Sequence, residues 1–427
     1  MHRPWKAAAA AVASGAGLCA LALAGAAPVA QAATAGGGTQ PTLWVSGAPV
    51  AGGNGTSCAK PGFNTVQAAV TAAPDWATVK VCAGTYTEQV EITKSLTITG
   101  TGGPVTLTLP ASPANSVACA RNPGSSQYGV DVCGNIHVTL SHLIIHSAWA
   151  QGTCNDDIDA VFVAGGATLY FADSAITAAG GVPLNGCQGG VGVLVWDGHL
   201  KMWHDAVSGY QKNGISIENA GSTAVIGDVR VTGIGPTDQI AQNGIEIAFG
   251  AWGSITGSKV SGNECDNATC GPDNLTQSQS AGYLFYNAAP GSVVSQSTAF
   301  GNDMGVYFAA TSAGYIGAWI GHDKLVHNRY EDAVLDQGSA KLNYSRMWGG
   351  NVALQMLQYN GQTAGAYATA SHDIIGPASV DALQIYSDEN AADLPGRLVV
   401  SYSSINGSIS NNSPAAAPVK LFVHHIS

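Results

Sequence analysis

Two short phrases of the sequence carry acids in matching positions. Asn213-Gly-Ile-Ser-Ile-Glu218 and Asn243-Gly-Ile-Glu-Ile247 share an Asn-Gly pair followed by alternating aliphatics. In an extended strand successive side chains point to opposite faces. With the isoleucines inward, Ser216, Glu218 and Glu246 face outward. Superimposing the related segments gives two outward columns. One runs Phe162, Leu194, Ser216, Glu246, Leu284, Tyr307; the other runs Ala164, Trp196, Glu218, Ala248, Tyr286, Ala309. One inter-strand step and two residues of rise would put the Cα atoms of Glu218 and Glu246 about 8 Å apart. Carboxyl pairs separated by roughly 5 to 9.5 Å serve glycoside hydrolysis, and this spacing does not separate retaining from inverting chemistry. Trp196 beside Glu218 would desolvate it and raise its pKa, which suits Glu218 as the acid and Glu246 as base or nucleophile. Trp196, Asp197, Tyr286 and Tyr307 would line the substrate-binding face, the aromatics as a flat platform for sugar rings. Acids and aromatics under covering loops are also ordinary solenoid surface, so the pair is a candidate site.

The elements that must position these residues follow from a repeat. A small residue leading an aliphatic alternation recurs at positions 160, 192, 214, 244, 282, 305, 333, 353 and 382. The shortest intervals are 20 to 23 residues, and the longer ones fit the same unit with a loop inserted. Such a repeat, with Gly and Asn at its corners, is the signature of a stacked solenoid. No single coil can bury its own apolar face, so coils stacked about 4.8 Å apart make one continuous core. Stacked Asn213 and Asn243 would ladder through their side chains. The expected fold is all-β, a single-stranded parallel β-helix over 50–405. A short capping helix on Phe63, Val66 and Val70, stopped by Pro74, would plug its N-terminal end. Residues 33–49 and 406–427 read as a loose N-terminal segment and a C-terminal tail.

The chain begins as an export signal. Arg3 and Lys6 precede a small and apolar run from Ala7 to Ala24, and Ala30-Gln31-Ala32 gives a signal-peptidase pattern, placing the signal at 1–32. Leu18 before Cys19 argues against a lipid-modified cysteine. No later apolar run is long enough to cross a bilayer. The formal charge of −11, from 16 Lys+Arg and 27 Asp+Glu, becomes −13 once Arg3 and Lys6 are removed. Such a surface repels nucleic acid and anionic lipid. The eight remaining cysteines read as disulfides in an oxidising compartment, neighbour with neighbour: 58–82, 119–133, 154–187 and 265–270.

The segment Phe63-Asn-Thr-Val-Gln-Ala-Ala-Val70, with Gly84-Thr-Tyr-Thr-Glu-Gln-Val-Glu-Ile92 and Ser95-Leu-Thr-Ile-Thr-Gly100, resembles the opening coil of pectinesterase-like proteins. The Asn-Gly-Ile repeats resemble the wider pectin-lyase-like, right-handed parallel β-helix superfamily. That resemblance implies fold and handedness. The superfamily's reaction motifs are absent, and Trp196-Asp-Gly-His199 is only a distant echo of one from pectate lyases. A lyase of this superfamily would take its base from Lys or Arg, for which Lys201, Lys212 and Arg230 are near the face. Other candidates have blander readings. Asp156, Asp157 and Asp159 could act as acids or hold a cation, or cap a turn by Cys154. Asp197, His199, His204 and Asp205 mix metal-ligand types at irregular spacing, which favours a solvated loop. The oxygen-rich stretch Glu264 to Asn274 could hold calcium or form a rigid wall; otherwise no cofactor is implied. His137, His142 and His146 read as structural. The expectation is a secreted, extracellular, carbohydrate-active protein that binds and cleaves a polysaccharide as a hydrolase or lyase. The rival expectation is a non-catalytic β-helix for glycan binding or adhesion.

Overall fold

The computed structural model describes residues 40–47, 55–122, 124–150, 153–154, 156–268, 270–271, 279–310, 316–358, 365–388, 394–415 and 417–426. The signal segment and its cleavage position lie outside them. Each coil contributes three short strands that pair in parallel with their counterparts one coil away. One coil is Asn213–Glu218, Thr223–Gly227 and Arg230–Thr237; the next is Asn243–Ala248, Trp252–Thr256 and Lys259–Cys265. The first strands of the coils form one twelve-stranded sheet, here the first sheet. The second and third strands form the other two faces. These are joined because Leu96–Thr108 runs around a corner, pairing with His137–Ser141 at one end and Ile144–Ala148 at the other. The whole is a right-handed parallel β-helix: the stacked solenoid that the repeat predicts, with the hand that the resemblance implies.

One apolar core runs inside it from Val45 to Val419. Ile215, Ile217, Ile245 and Ile247 all point inward and are buried, so the alternation read from the sequence gives the correct faces. The helix Val66–Ala72 buries Val66, Ala69 and Val70 against the first coil. Its N-terminus is capped twice. Thr65 accepts from the Ala68 N–H, and the Glu88 carboxylate takes the Val66 and Gln67 N–H groups at 2.8 Å each. The four disulfides join Cys58 to Cys82, Cys119 to Cys133, Cys154 to Cys187 and Cys265 to Cys270, as the neighbour pairing predicts.

The solenoid overruns both expected limits. Thr42–Val45 pairs with the start of Ala77–Thr87. Ile409–Asn411 and Val419–His424 continue the sheets beyond 405. These strands are short and half polar, so they carry little periodic signal.

Polar ladders hold the corners. Asn243 Nδ2 donates to Asn213 Oδ1 at 3.1 Å, the expected pair. An inner ladder runs Asn263 to Asn302 to Asn328 at 2.8 and 3.0 Å and ends on Asp332 at 2.9 Å. Between the second and third strands the chain turns through one left-handed residue per coil, including His322, Tyr344, His372, Tyr402 and His425. Their rings stack along the corner with centroids 4.7 to 5.3 Å apart.

Up to Ser403, the residue after each of these turns is buried and is commonly Ser or Asp. Ser258, Ser297, Ser345 and Ser403 accept a backbone N–H from one coil and donate to the carbonyl two residues back. Asp205, Asp323 and Asp373 occupy the same slot. Their Oδ1 atoms take the N–H of Ser174, Ser297 and Ser345, while Oδ2 has no partner. Burial pushes all three carboxyls up to about 7, against the pull of the backbone N–H bonds. A neutral carboxyl in this slot can donate as serine does, whereas an ionised one cannot.

Between about pH 4 and 7 the folded chain therefore holds protons that the unfolded chain releases, and stability falls as pH rises through that window. Denaturant unfolding at pH 5 and pH 8 should show lower stability at pH 8. Asp323→Asn keeps the acceptor for the Ser297 N–H and offers the donor of a neutral carboxyl without titrating. It should raise stability at pH 8 by the order of 1 kcal/mol and leave pH 4 nearly unchanged; an identical pH profile would show that Asp323 does not hold this proton.

Candidate functional site

Register places the two glutamates as the alternation requires. Ser216 lies directly opposite Glu246, and Trp196 directly opposite Glu218, on the outer face of the first sheet. Each acid has its own hydrogen bond from its own phrase. Ser216 Oγ donates to Glu218 Oε1 at 2.9 Å, and Asn213 Nδ2 donates to Glu246 Oε2. The second bond belongs to a relay, because the Ala281 N–H holds Asn243, which holds Asn213.

The outer face is not the open surface the two columns suggest. Leu194 and Ser216 are fully buried and Glu218 is only 5% exposed. On one side the segment held by the Cys119–Cys133 disulfide packs over the sheet, and the outer side chains there and farther along are buried together. Two apolar groups result: Tyr128, Phe162, Ala164, Val191 and Leu194 on one side, and Ala281, Met304, Val334 and Leu357 on the other. The polar cluster lies between them. Trp196, Lys212 and Glu246 are partly exposed there.

Arg121 completes the cluster and has no repeat signal. It sits three residues from the bend at Gly124, on a segment tied down by the Cys119–Cys133 disulfide, and its backbone N–H donates to the Tyr128 hydroxyl at 3.1 Å. Its guanidinium stands 3.6 Å from Glu218 Oε2 and 4.0 Å from Asp157 Oδ1, and lies over the Trp196 ring at 4.8 Å. Asp159, fully buried beside Asp157, accepts the Val191 N–H at 2.8 Å. Lys212 donates to the Ala241 carbonyl at 2.8 Å. The only sequence sign of Arg121 is its place two residues after a cysteine; Lys212 directly precedes an Asn-Gly phrase.

Burial raises the pKa of every acid here, but the partners differ. Glu246 is pushed up to about 7, by burial first and then by the charge of Glu218; Lys212, Asn213 and Arg121 oppose this. Glu218 is raised by burial and held back by Arg121 and Ser216. Asp159 is pushed well up by burial and by Asp157. Asp157 is raised by burial against the pull of Arg121. The Lys212 ammonium is lowered by burial, with Glu246 partly restoring it. Trp196 thus meets Glu218 through Arg121, which screens the carboxylate that the ring would otherwise desolvate.

The remaining sequence candidates are dispersed. Asp197 is an exposed left-handed turn residue whose N–H donates to Ser222 Oγ at 2.8 Å, off the face. Tyr286 lies one coil beyond Glu246 and meets Phe249 edge to face. Tyr307 lies a further coil on and donates to Asp336 Oδ2 at 2.8 Å. Asp156 caps a turn through the Thr153 N–H and hydroxyl. His204 stands exposed on another corner, 3.7 Å from Asp173 and 3.8 Å from Asp228, above the buried Asp205. His199 is 2.8 Å from Thr223 Oγ1. His137 stacks on Trp76, His142 is a corner residue and His146 lies 3.0 Å from Thr177 Oγ1. Lys201 donates to the Tyr170 hydroxyl on the second strand's face, and Arg230 is exposed on the third. The stretch 264–274 lies partly outside the described residues. Among the described residues no group of three or more His, Cys, Asp or Glu is arranged to hold a metal.

The chain is similar to several solved structures. The A-module of the mannuronan C-5 epimerase AlgE4 of Azotobacter vinelandii is 11% identical, with 84% of this chain and 91% of that one covered at a TM-score of 0.47. The pectate lyase Pel9A is 12% identical over 91% and 79%, at 0.39. XylC, in a complex with xylose, is 9% identical over 91% and 86%, at 0.44. At 9 to 12% identity these likenesses assign the chain to no family. No family model and no curated protein sequence matches the chain.

Removing Arg121 leaves a buried carboxylate without its counter-charge. Arg121→Met should cost about 2–3 kcal/mol in denaturant unfolding, toward the lower end for a buried pair because Arg121 keeps 28% of its side chain in water. Adding Glu218→Gln should recover part of that loss. Additive penalties would show that the two groups do not interact.

Proposed function

We propose that the chain is a secreted, carbohydrate-active protein that binds an extracellular polysaccharide over the first sheet and hydrolyses it by two-carboxylate chemistry. The observation that carries this reading is the asymmetry of the pair. Glu246 is pushed up to about 7, so it holds a proton near neutrality, whereas Glu218 faces a guanidinium. Burial raises both, but only Glu218 stands against a guanidinium, and that contrast divides the pair into a proton donor and an ionised partner. Glu246 is therefore the acid and Glu218 the charged carboxylate that activates water or stabilises positive charge at the anomeric carbon. This reverses the roles expected from Trp196 alone, because Arg121 supplies Glu218 with a counter-charge. Trp196 and Tyr286, on either side, offer apolar ring surface to the sugar.

Four disulfides suit a protein matured in an oxidising exterior. Among the described residues no helix is long and apolar enough to cross a membrane.

Lys212 supports a second reading. An amine whose pKa is lowered by burial is a stronger candidate base, and beside an acidic sugar it could take the proton in a β-elimination.

Screening the protein against plant, algal and microbial glycans separates the readings. Hydrolysis should give new reducing ends without ultraviolet-absorbing product, and elimination should give the absorbing product. Glu246→Gln and Glu218→Gln should each lower kcat about 10²- to 10⁴-fold while glycan binding persists. Activity should also fall as pH rises above about 7, where Glu246 loses its proton. Unchanged turnover in both variants would remove this site, and binding without any product would favour the adhesive protein.

A further inference from the structure

The third strands carry a feature that the acid–base site does not use. Their first residues in five consecutive coils are Arg230, Lys259, Thr298, Lys324 and Arg346, each in direct register with the next. All four cations are exposed. At one inter-strand step per coil the row is about 19 Å long. The chain as a whole has a formal charge of −11, so this row stands against its surroundings. Among the described residues none of the four forms a salt bridge.

Like charges directly opposite one another on neighbouring strands are destabilising. Arg230 faces Lys259, and Lys324 faces Arg346. The corner beside the row contributes Asp228, Gly257, Gln296, His322 and Tyr344. Its one carboxylate, Asp228, is engaged by His204 at 3.8 Å. Beneath the row, the carboxyl of Asp323 is buried and accepts a backbone N–H. The strand residues two places further on include Phe300, 40% exposed, and Trp348, whose ring lies 5.4 Å from the Arg346 guanidinium. Where the row begins, Arg230 and Lys259 share an open concavity of about 800 Å³ with His204 and Asp228.

We propose that this row is a second, non-catalytic binding surface for a linear acidic polysaccharide lying along the solenoid axis. Four of the five coils carry a cation, two adjacent pairs on either side of Thr298, and one coil step is close to the length of one sugar ring, so acidic groups on neighbouring sugars of an extended glycan can meet each pair. Phe300 and Trp348 offer apolar faces to the rings between those charges. The row is one residue wide on an otherwise acidic protein, which fits a single flexible strand rather than a broad anionic membrane or a duplex. The surface is separate from Glu218 and Glu246 and does not depend on their chemistry.

The test is affinity electrophoresis and co-sedimentation of the full-length protein with polygalacturonate, at low and at physiological salt. The native protein should be retained. The quadruple variant R230Q/K259Q/K324Q/R346Q should lose roughly ten- to a hundredfold in affinity, the summed effect of four exposed charge contacts, with a shallower salt dependence. Its unfolding midpoint should be unchanged or higher, because like-charge repulsion is relieved. The pairs R230Q/K259Q and K324Q/R346Q should each give part of the loss, so the outcome does not rest on one variant folding. No retention at low salt, equal affinity in the quadruple variant, equal retention by a neutral glucan, or tighter binding to single-stranded DNA or phosphatidylserine vesicles would each overturn the proposal.

Discussion

Everything in this molecule depends on parallel coils stacking in register, one strand spacing apart, over inward-facing aliphatics. Because register is kept, a side chain's position in its own coil determines its neighbours in the coils above and below. Ser216 meets Glu246, and Arg230 meets Lys259, for this reason alone. A slip of one residue would turn Ile215 and Ile217 outward and put Ser216 and Glu218 in the core. The hydrophobic cost of such a slip protects the site geometry, without any contact made by the site itself.

The same stacking forces polar groups into dry corners, where each must find a partner. The chain solves this with ladders in which one side chain serves its own coil and the next. Asparagine fits because it donates and accepts together, as in the run from Asn263 to Asn328. Serine does the same through one oxygen. Aspartic acid matches serine only while protonated, so the three aspartates in the corner make the scaffold itself sensitive to pH. At the candidate site the rule is relaxed. There the acids face other acids, and only Arg121 supplies an opposing guanidinium.

The core and the register could be read from the sequence, because strand alternation and the Asn-Gly phrases recur without interruption. The opposition of Trp196 to Glu218, the Asn213–Asn243 pair, the capping helix and the disulfide pairing all follow from local pattern. The burial of Ser216 and Glu218 does not, since it comes from covering segments of irregular length. Arg121 was hidden for a related reason: it meets Glu218 across 97 residues, from outside any repeat. The corner series of His322, Tyr344 and His372 carries no such signal, because left-handed turns ordinarily favour Gly and Asn. Here the ring stack and the backbone bonds between coils hold bulkier residues in that conformation.

That corner has a consequence for how such a chain changes. Each turn there takes two residues and hands the backbone on in the same geometry, whereas the other two corners absorb segments of very different length. A whole coil can therefore be gained or lost as a unit, with the rings on either side closing onto each other across the join. Length becomes an adjustable property of the rod, independent of the chemistry carried on any one face.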